Sequence, residues 1–346
     1  MTAAAGVLQR VRSSSVVDAI GLLLLAGLVL WLVFKFFEDP TRFVNVAIIG
    51  LTNGAVYGLV ALGYTLVYGI LQLINFAHGD VFALSGLVAS TLIVSVLDMD
   101  ESTGVLFIVL GLGATLAVTI PMFALLNATI ERIAYKPLRH APRLAALITA
   151  VGVSFIVQNV ALALYGVDFE SVPNFIPRTA AIEIGDIVIQ WNKLAVFLIV
   201  IPVLVVLTWF VRSTRQGKAM RAVAQDRDAS AMMGIDVNRT ISVTFVLAGS
   251  LAAVAGLVYL LQFNMRYDTG FELGLIAFTA AVLGGIGNLT GAVLGALFIG
   301  MVQAFNEGLD DTPGGDWTRS LVFGILIAVL VFRPQGILGE RTPEGA

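Results

Sequence analysis

The sequence predicts an all-α polytopic membrane protein of about 8–10 transmembrane helices. Three observations predict it. The chain is 58% hydrophobic and only 12% charged, with a mean hydropathy of +0.94, whereas about a quarter of a soluble domain is charged. Apolar segments long enough to span the ~30 Å hydrocarbon core recur along it. The few charges segregate between alternate loops. With 346 residues there is room for one membrane domain and no sizeable soluble one. The absence of cysteine excludes disulfides, thiolate metal sites and cysteine nucleophiles.

The predicted spans are 16–37, 43–70, 76–97, 104–129, 145–166, 192–211, 241–262 and 318–333. The first follows Arg10 and Arg12 but exceeds a signal-peptide core and lacks a clear cleavage site, so it reads as a membrane helix. Two shorter pieces, 272–286 and 289–305, are split by a Gly-rich turn. As helices each covers only about 22–26 Å at 1.5 Å per residue. They are either a re-entrant hairpin or two short crossings, and ten crossings is the favoured count.

Loop 131–143 holds Arg132, Lys136, Arg139 and Arg143. Loop 212–240 holds Arg212, Arg215, Lys218, Arg221, Arg227 and Arg239, and the tail adds Arg333 and Arg341. Loops 98–103, 167–190 and 306–317 are acidic. The positive-inside rule places the basic set in the cytoplasm and the acidic set outside, with both termini inside. The domain plan is an N-terminal extension over 1–40 with an extra membrane helix, a main membrane domain over 41–339 containing the 212–240 loop, and a cytoplasmic tail over 340–346.

Residues 43–86 carry the densest signal. Gly50, Gly54, Gly58 and Gly63 precede a polar cluster, Asn75-Phe76-Ala77-His78-Gly79-Asp80. Small residues every four positions let helix backbones approach closely. The same 4, 4, 5 spacing recurs at Gly287, Gly291, Gly295 and Gly300. An inverted repeat and simple close packing both account for the echo. Asn75 and His78 read either as a gate at the cytoplasmic end of a pathway or as a helix cap, with Asp80 favoured by the helix dipole. Asn53, Tyr57, Tyr64 and Tyr68 share a helical face and either line a pathway or bond between helices; Gln158, Asn159 and Asn288 carry the same ambiguity. Asp18 and Lys35, near the ends of the first span, are expected to snorkel.

Residues 219–233, between Gly217 and Gly234, predict a short amphipathic helix in the longest basic loop. Met220, Val223, Met232 and Met233 offer apolar contacts, and Arg221, Asp226, Arg227 and Asp228 offer charge. Such a helix suits docking to a partner protein or lying on anionic headgroups. No P-loop motif is present, so the chain is not expected to hydrolyse ATP by that route. No carboxylate or lysine is evident at mid-span, which weighs against ion coupling.

The stretch from Leu59 to Gly86, LVALGYTLVYGILQLINFAHGDVFALSG, resembles the signature region of the branched-chain amino-acid ABC importer permeases, H-type subunit. The loop TRQGKAMRAVAQDRDASAMMGIDVNRTI, the stretch AAVLGGIGNLTGAVLGALFIG and the closing VFRPQGILGE resemble that family's coupling region and C-terminal pattern, in order, over roughly 43–339. The resemblance implies a type II importer-like fold with inverted repeats and a bacterial plasma-membrane location. It implies partnership with a second permease, two cytoplasmic ATPases and an external solute-binding protein, with ATP and Mg bound by those ATPases and no cofactor or metal in this chain. Gly217 to Gly234 would be the coupling helix, and Asn75 to Asp80 would lie by the pathway. Hydrophobic amino acids are the expected cargo, moved by alternating access. The alternatives are urea or short-chain amides within the same family, or a stand-alone secondary transporter or channel. Residues 1–40 depart from the pattern by adding a helix.

Overall fold

A computed structural model describes residues 26–27, 29–139, 141–177, 179–333 and 335–339. Asp18, Arg341 and the tail over 340–346 lie outside them. Residues 29–38 are helical (α1). Then follow α2 (Pro40–Leu71), α3 (Ala77–Thr91, extended to Val96 by a wider turn), α4 (Val105–Ile130, extended to Leu138) and α5 (Arg143–Tyr165). A hairpin, β1 (Ala180–Ile184) and β2 (Ile187–Gln190), leads into α6 (Trp191–Ser213). The remainder is α7 (Arg215–Gln225), α8 (Arg227–Met232), α9 (Val237–Leu260), α10 (Thr269–Gly284), α11 (Leu289–Gly308) and α12 (Gly315–Phe332). Among the described residues, eight helices are long and apolar enough to cross a membrane. The β-hairpin inside the 167–190 loop was not expected. Its alternating Ala180–Ile184 run pairs antiparallel with Ile187–Gln190 around Gly185, whose φ of +61° suits a tight turn.

The helices form a buried centre and an outer layer. α2, α3 and α9 are 67–78% buried over their spans, whereas α4, α5, α6 and α12 are 11–28% buried. The outer faces are apolar: Leu106, Leu125, Ile148, Leu164 and Val206 are all exposed, as lipid contact requires. From Thr52 to Val67 every residue of α2 is buried. A helix apolar all round is one enclosed on every side.

Packing repeats between the two halves. α2 packs on α11 as α9 packs on α4; α2 meets α10 as α9 meets α3; α3 meets α5 as α10 meets α12. This pairs α2–α5 with α9–α12, and the two halves run in opposite directions. The repeat therefore relates α2 to α9, not α2 to α11. Of the matching glycine runs, Gly50 and Gly54 of α2 and Gly300 of α11 lie in the α2–α11 interface. A Cβ on Gly50 or Gly54 would lie 2.9 and 2.6 Å from the Cα atoms of Met301 and Leu297, and one on Gly300 would strike the Gly54 backbone. Gly291 and Gly295 use the other face of α11, against Gly284 and Ala280 of α10. Gly58 makes ordinary contact with Ala296, and Gly287, at φ +96°, forms the α10–α11 turn.

The ends of the bundle separate by charge. At one end Arg42 pairs with Asp310, Arg319 holds Glu272 through two bonds of 2.5 and 2.8 Å, and Glu170 forms a bridge with Met265 at 2.8 Å in both directions. Lys35 keeps its stem covered while its amine reaches the acidic end: Nζ donates to Glu38 at 2.8 Å and Asp311 at 3.1 Å, both exposed carboxylates. The opposite end gathers the basic 131–143 and 212–240 segments. The α10–α11 turn also reaches this basic end: Gly287 lies beside Gly69, Gly285 against Gly339, and the Ile337 and Leu338 amides donate to the Leu283 and Gly284 carbonyls. The short pair thus turns at the basic end and not halfway; most of the predicted first span, 16–25 and 28, lies outside the described residues. α10, with 16 residues, is about 24 Å long at 1.5 Å per residue.

Gly54→Leu or Gly300→Leu is expected to abolish recovery of folded protein, since backbone would have to separate and overpacking alone costs ~1–3 kcal/mol or more. Gly113→Ala, which meets no atom within 4 Å, is expected to leave yield and thermal midpoint unchanged in detergent size-exclusion and unfolding assays.

Candidate functional site

After Leu71 the chain leaves the helix through Gln72 in a left-handed conformation (φ +54°) and folds back inward. His78 then lies against Gly63, where even a Cβ would overlap its ring. Gly63 is eight residues before the end of α2, or about 12 Å from it along the axis. The cluster expected at the membrane edge therefore lies inside the bundle. A polar segment at this depth is tolerated because protein encloses it.

The start of α3 meets the start of α10 there. A Cβ on Gly79 would strike the Gly270 carbonyl, one on Gly270 would strike the Gly79 carbonyl, and one on Gly274 would lie 2.7 Å from the Tyr64 hydroxyl. This reciprocal contact joins the two halves of the repeat. Tyr64 stands edge-on to His78 with centroids 5.0 Å apart. His78 is fully buried, and neither ring nitrogen makes a well-formed hydrogen bond, although the Val60 carbonyl is within reach of the ring.

Asn75 does not cap α3; the residue at that position is Phe76, without a side-chain bond. Asn75 Oδ1 instead accepts from the Tyr135 hydroxyl at 2.6 Å. Asp80 lies in the first turn of α3, as expected, but deep in the bundle. It is 1% exposed, and Ser154 and Gln158 of α5 donate to its carboxylate, Gln158 at 2.9 Å. A buried carboxylate thus exists at depth, contrary to the sequence expectation. The i, i+4 spacing of Ser154 and Gln158 puts both donors on one face of α5, a signal present in the sequence. The neighbouring Asn159 is exposed and bonds its own helix at Phe155.

The other pathway candidates are dispersed. Asn53 is buried, Tyr57 donates to Gln303 of α11 at 2.6 Å, and Tyr68 is half-buried. Asn288 caps α11: its Oδ1 accepts from Gly291 N at 3.1 Å, and its Nδ2 donates to the Leu338 carbonyl at 2.9 Å.

The basic end presents a second candidate surface. The predicted single helix is two, because Asp226 ends α7 in an extended conformation and caps α8 by accepting from Ala229 N at 2.9 Å. Gly217 lies inside α7, packed on the Val211 carbonyl at the end of α6, and is not a free flank. Met220 and Val223 are buried (3% and 1% exposed) and so unavailable to a partner, whereas Met232 and Met233 are each 82% exposed. Gly234, at φ +83°, supplies the left-handed turn after α8. Arg221 donates to the Val211 carbonyl, while Asp228 stays in the first turn of α8. Burial first, then the neighbouring Arg139 charge, holds the Arg227 guanidinium below its usual pKa. Glu131, buried between α4 and α9, pairs with Arg139 and accepts from Ser242 at 2.8 Å; this pairing was not foreseen.

Residues 46–330 match the family model described as the branched-chain amino acid transport system / permease component. The high-affinity branched-chain amino acid transport system permease protein BraD of Pseudomonas aeruginosa is 38% identical over 299 residues, covering 85% of this chain and 95% of that one. The corresponding LivH protein of Escherichia coli K12 is 36% identical over 300 residues with the same coverage. A solved structure titled PsaBC from Streptococcus pneumoniae in complex with Fab covers 87% of this chain and 95% of its own, at 14% identity and a TM-score of 0.43, too low to carry an argument.

Ser154→Ala and Gln158→Leu each remove a donor from the buried Asp80 carboxylate. Each is expected to cost ~1–3 kcal/mol, read as a lowered thermal midpoint of the purified chain. Unchanged midpoints in both would show that the carboxylate is solvated and not held by α5.

Proposed function

This chain belongs to the family of branched-chain amino acid transport system permease components, and from that premise we propose that it is the membrane subunit of an ABC importer moving branched-chain, hydrophobic amino acids by alternating access. It is not itself an enzyme in this reading. ATP and Mg are bound by two cytoplasmic ATPases, a second permease completes the pore, and an external binding protein delivers the cargo. The substrate class follows from what the relatives' names state of those proteins.

The observation that carries the mechanism is the α7–α8 unit. It is fixed to the bundle on one side by Gly217, Met220 and Val223 and offers an exposed Met232–Met233 pair on the other. Flexible, polarisable methionines suit a docking surface. An ATPase gripping them would move an element anchored to the ends of α6 and α2. Arg227 donates to the Ile70 carbonyl at 2.7 Å, directly above the segment that leads to His78 and Asp80. The basic end faces the cytoplasm by the positive-inside rule, which places both termini inside a bacterial plasma membrane. The acidic end, with its β-hairpin, receives the binding protein.

A second reading has one observation in its favour. A buried carboxylate such as Asp80 is what an ion-coupled carrier places at depth. The two readings part on a single experiment. The importer requires that the tagged chain copurify with a P-loop ATPase and a second permease, and that uptake in proteoliposomes need ATP. Uptake by the chain alone, driven by a proton gradient, would overturn it. Within the importer reading, Met232→Asp with Met233→Asp is expected to leave insertion and yield intact but lower ATP-driven uptake at least tenfold. Normal coupled uptake would dismiss the docking role of α8.

A further inference from the structure

At the basic end a cavity of about 410 Å³ opens between the end of α2, the α4–α5 connection and α7. Its surface is more polar than apolar, with Ile70, Leu73, Leu138 and Ala146 forming an apolar part of the wall. Its charged groups are both cations, Arg139 and Arg227. The Arg139 side chain is only 10% exposed; it pairs with Glu131 and donates to Asn238, and its Nε has no partner. Arg227 gives one N–H to the Ile70 carbonyl, and no carboxylate of the described residues lies within ion-pair distance of it. Tyr135, also in the wall, donates to Asn75, whose buried Nδ2 is likewise unpartnered. The wall therefore carries two guanidinium groups and no carboxylate, although Glu131 pairs with Arg139 behind it and Asp228 adjoins Arg227; the unmet buried groups around it, Arg139 Nε and Asn75 Nδ2, are donors.

Unmet buried donors are costly, and an arginine fork matches the geometry of a carboxylate or phosphate. We propose that this cavity binds an oxyanion carried on a small apolar body. Free leucine, through its α-carboxylate, and an anionic phospholipid, through its phosphate, share that chemistry. Val223 and Ala224 of α7 and Arg227 of α8 form part of the wall, so an occupant is gripped between α7–α8 and the bundle. It thereby restrains the element to which coupling is assigned; that consequence rests on the importer reading, whereas the binding site does not.

The test uses the purified full-length chain in phosphatidylcholine nanodiscs. Leucine and leucinol, which lacks the carboxylate, are titrated calorimetrically, and phosphatidylglycerol retention is measured against phosphatidylcholine by native mass spectrometry. The expected result is at least a tenfold preference for leucine over leucinol, or for phosphatidylglycerol over phosphatidylcholine; whichever appears identifies the source of the anion. Arg227→Gln is expected to weaken that binding at least tenfold, about 1.4 kcal/mol, and Arg227→Lys to retain most of it. Val223→Phe, which fills the cavity without touching a charge, is expected to block binding as well. No preference in either pair, or equal binding by Arg227→Gln and the wild type, overturns the proposal. Because the chain is tested alone, failure to copurify an ATPase would leave this result untouched.

Discussion

Backbone-to-backbone contact is the constraint on which the rest of the structure depends. In a membrane, helices gain little from expelling water, because lipid tails are as apolar as leucine, and association rests on close packing and on polar contacts. Gly54 against Leu297, Gly300 against Gly54, and Gly79 against Gly270 bring helices to distances that a single methyl group would prevent. The first two fuse α2 to α11. The third joins the starts of α3 and α10, where the halves of the repeat meet. The buried position of α2, and with it the whole polar interior, follows from these contacts.

That interior is tied together by polar pairs between segments. Asp80 is met by Ser154 and Gln158, Glu131 by Arg139 and Ser242, Tyr57 by Gln303 and Asn75 by Tyr135. Apart from Glu131–Arg139, which are eight residues apart, each bond ties segments distant in sequence, so the polar network also fixes how α3, α4, α5 and α9 sit. Thr65 and His78 are buried among the described residues with no well-formed side-chain bond at all. The place of His78 beside the Gly79–Gly270 contact puts an unmet polar group at the junction of the two halves, the point that must rearrange if the halves rock against each other.

The basic end links this interior to the outside. Arg227 bonds the last turn of α2, α7 packs on the end of α6, and the α10–α11 turn is held by the segment after α12. A displacement of α7–α8 is therefore felt first at the break between α2 and α3. The oxyanion cavity lies at the same place, so force from a partner and occupancy by a ligand would act on one joint.

Much of this was legible in the sequence. Hydropathy fixed the spans to within a few residues, because lipid imposes length and apolarity on each helix separately. Lys and Arg counts separated the two ends, and the motifs around Asn75–Asp80 and Gly217–Gly234 carried the family resemblance. Tertiary structure alone decided which residues meet. The glycine echo between α2 and α11 was open to a repeat or to close packing; Gly50, Gly54 and Gly300 share an interface while Gly291 and Gly295 face α10, since spacing records that a face is smooth and not what lies against it. Asp80 passed as a helix-end residue because the fold-back at Gln72 that carries it inward is a matter of three-dimensional packing. Met220 and Met232 were equivalent in the sequence; one lies on the buried face of α7 and the other is exposed on α8, because the cap at Asp226 breaks the segment between them. One-dimensional pattern reports what each segment can bury, and only the packed bundle determines what it is buried against.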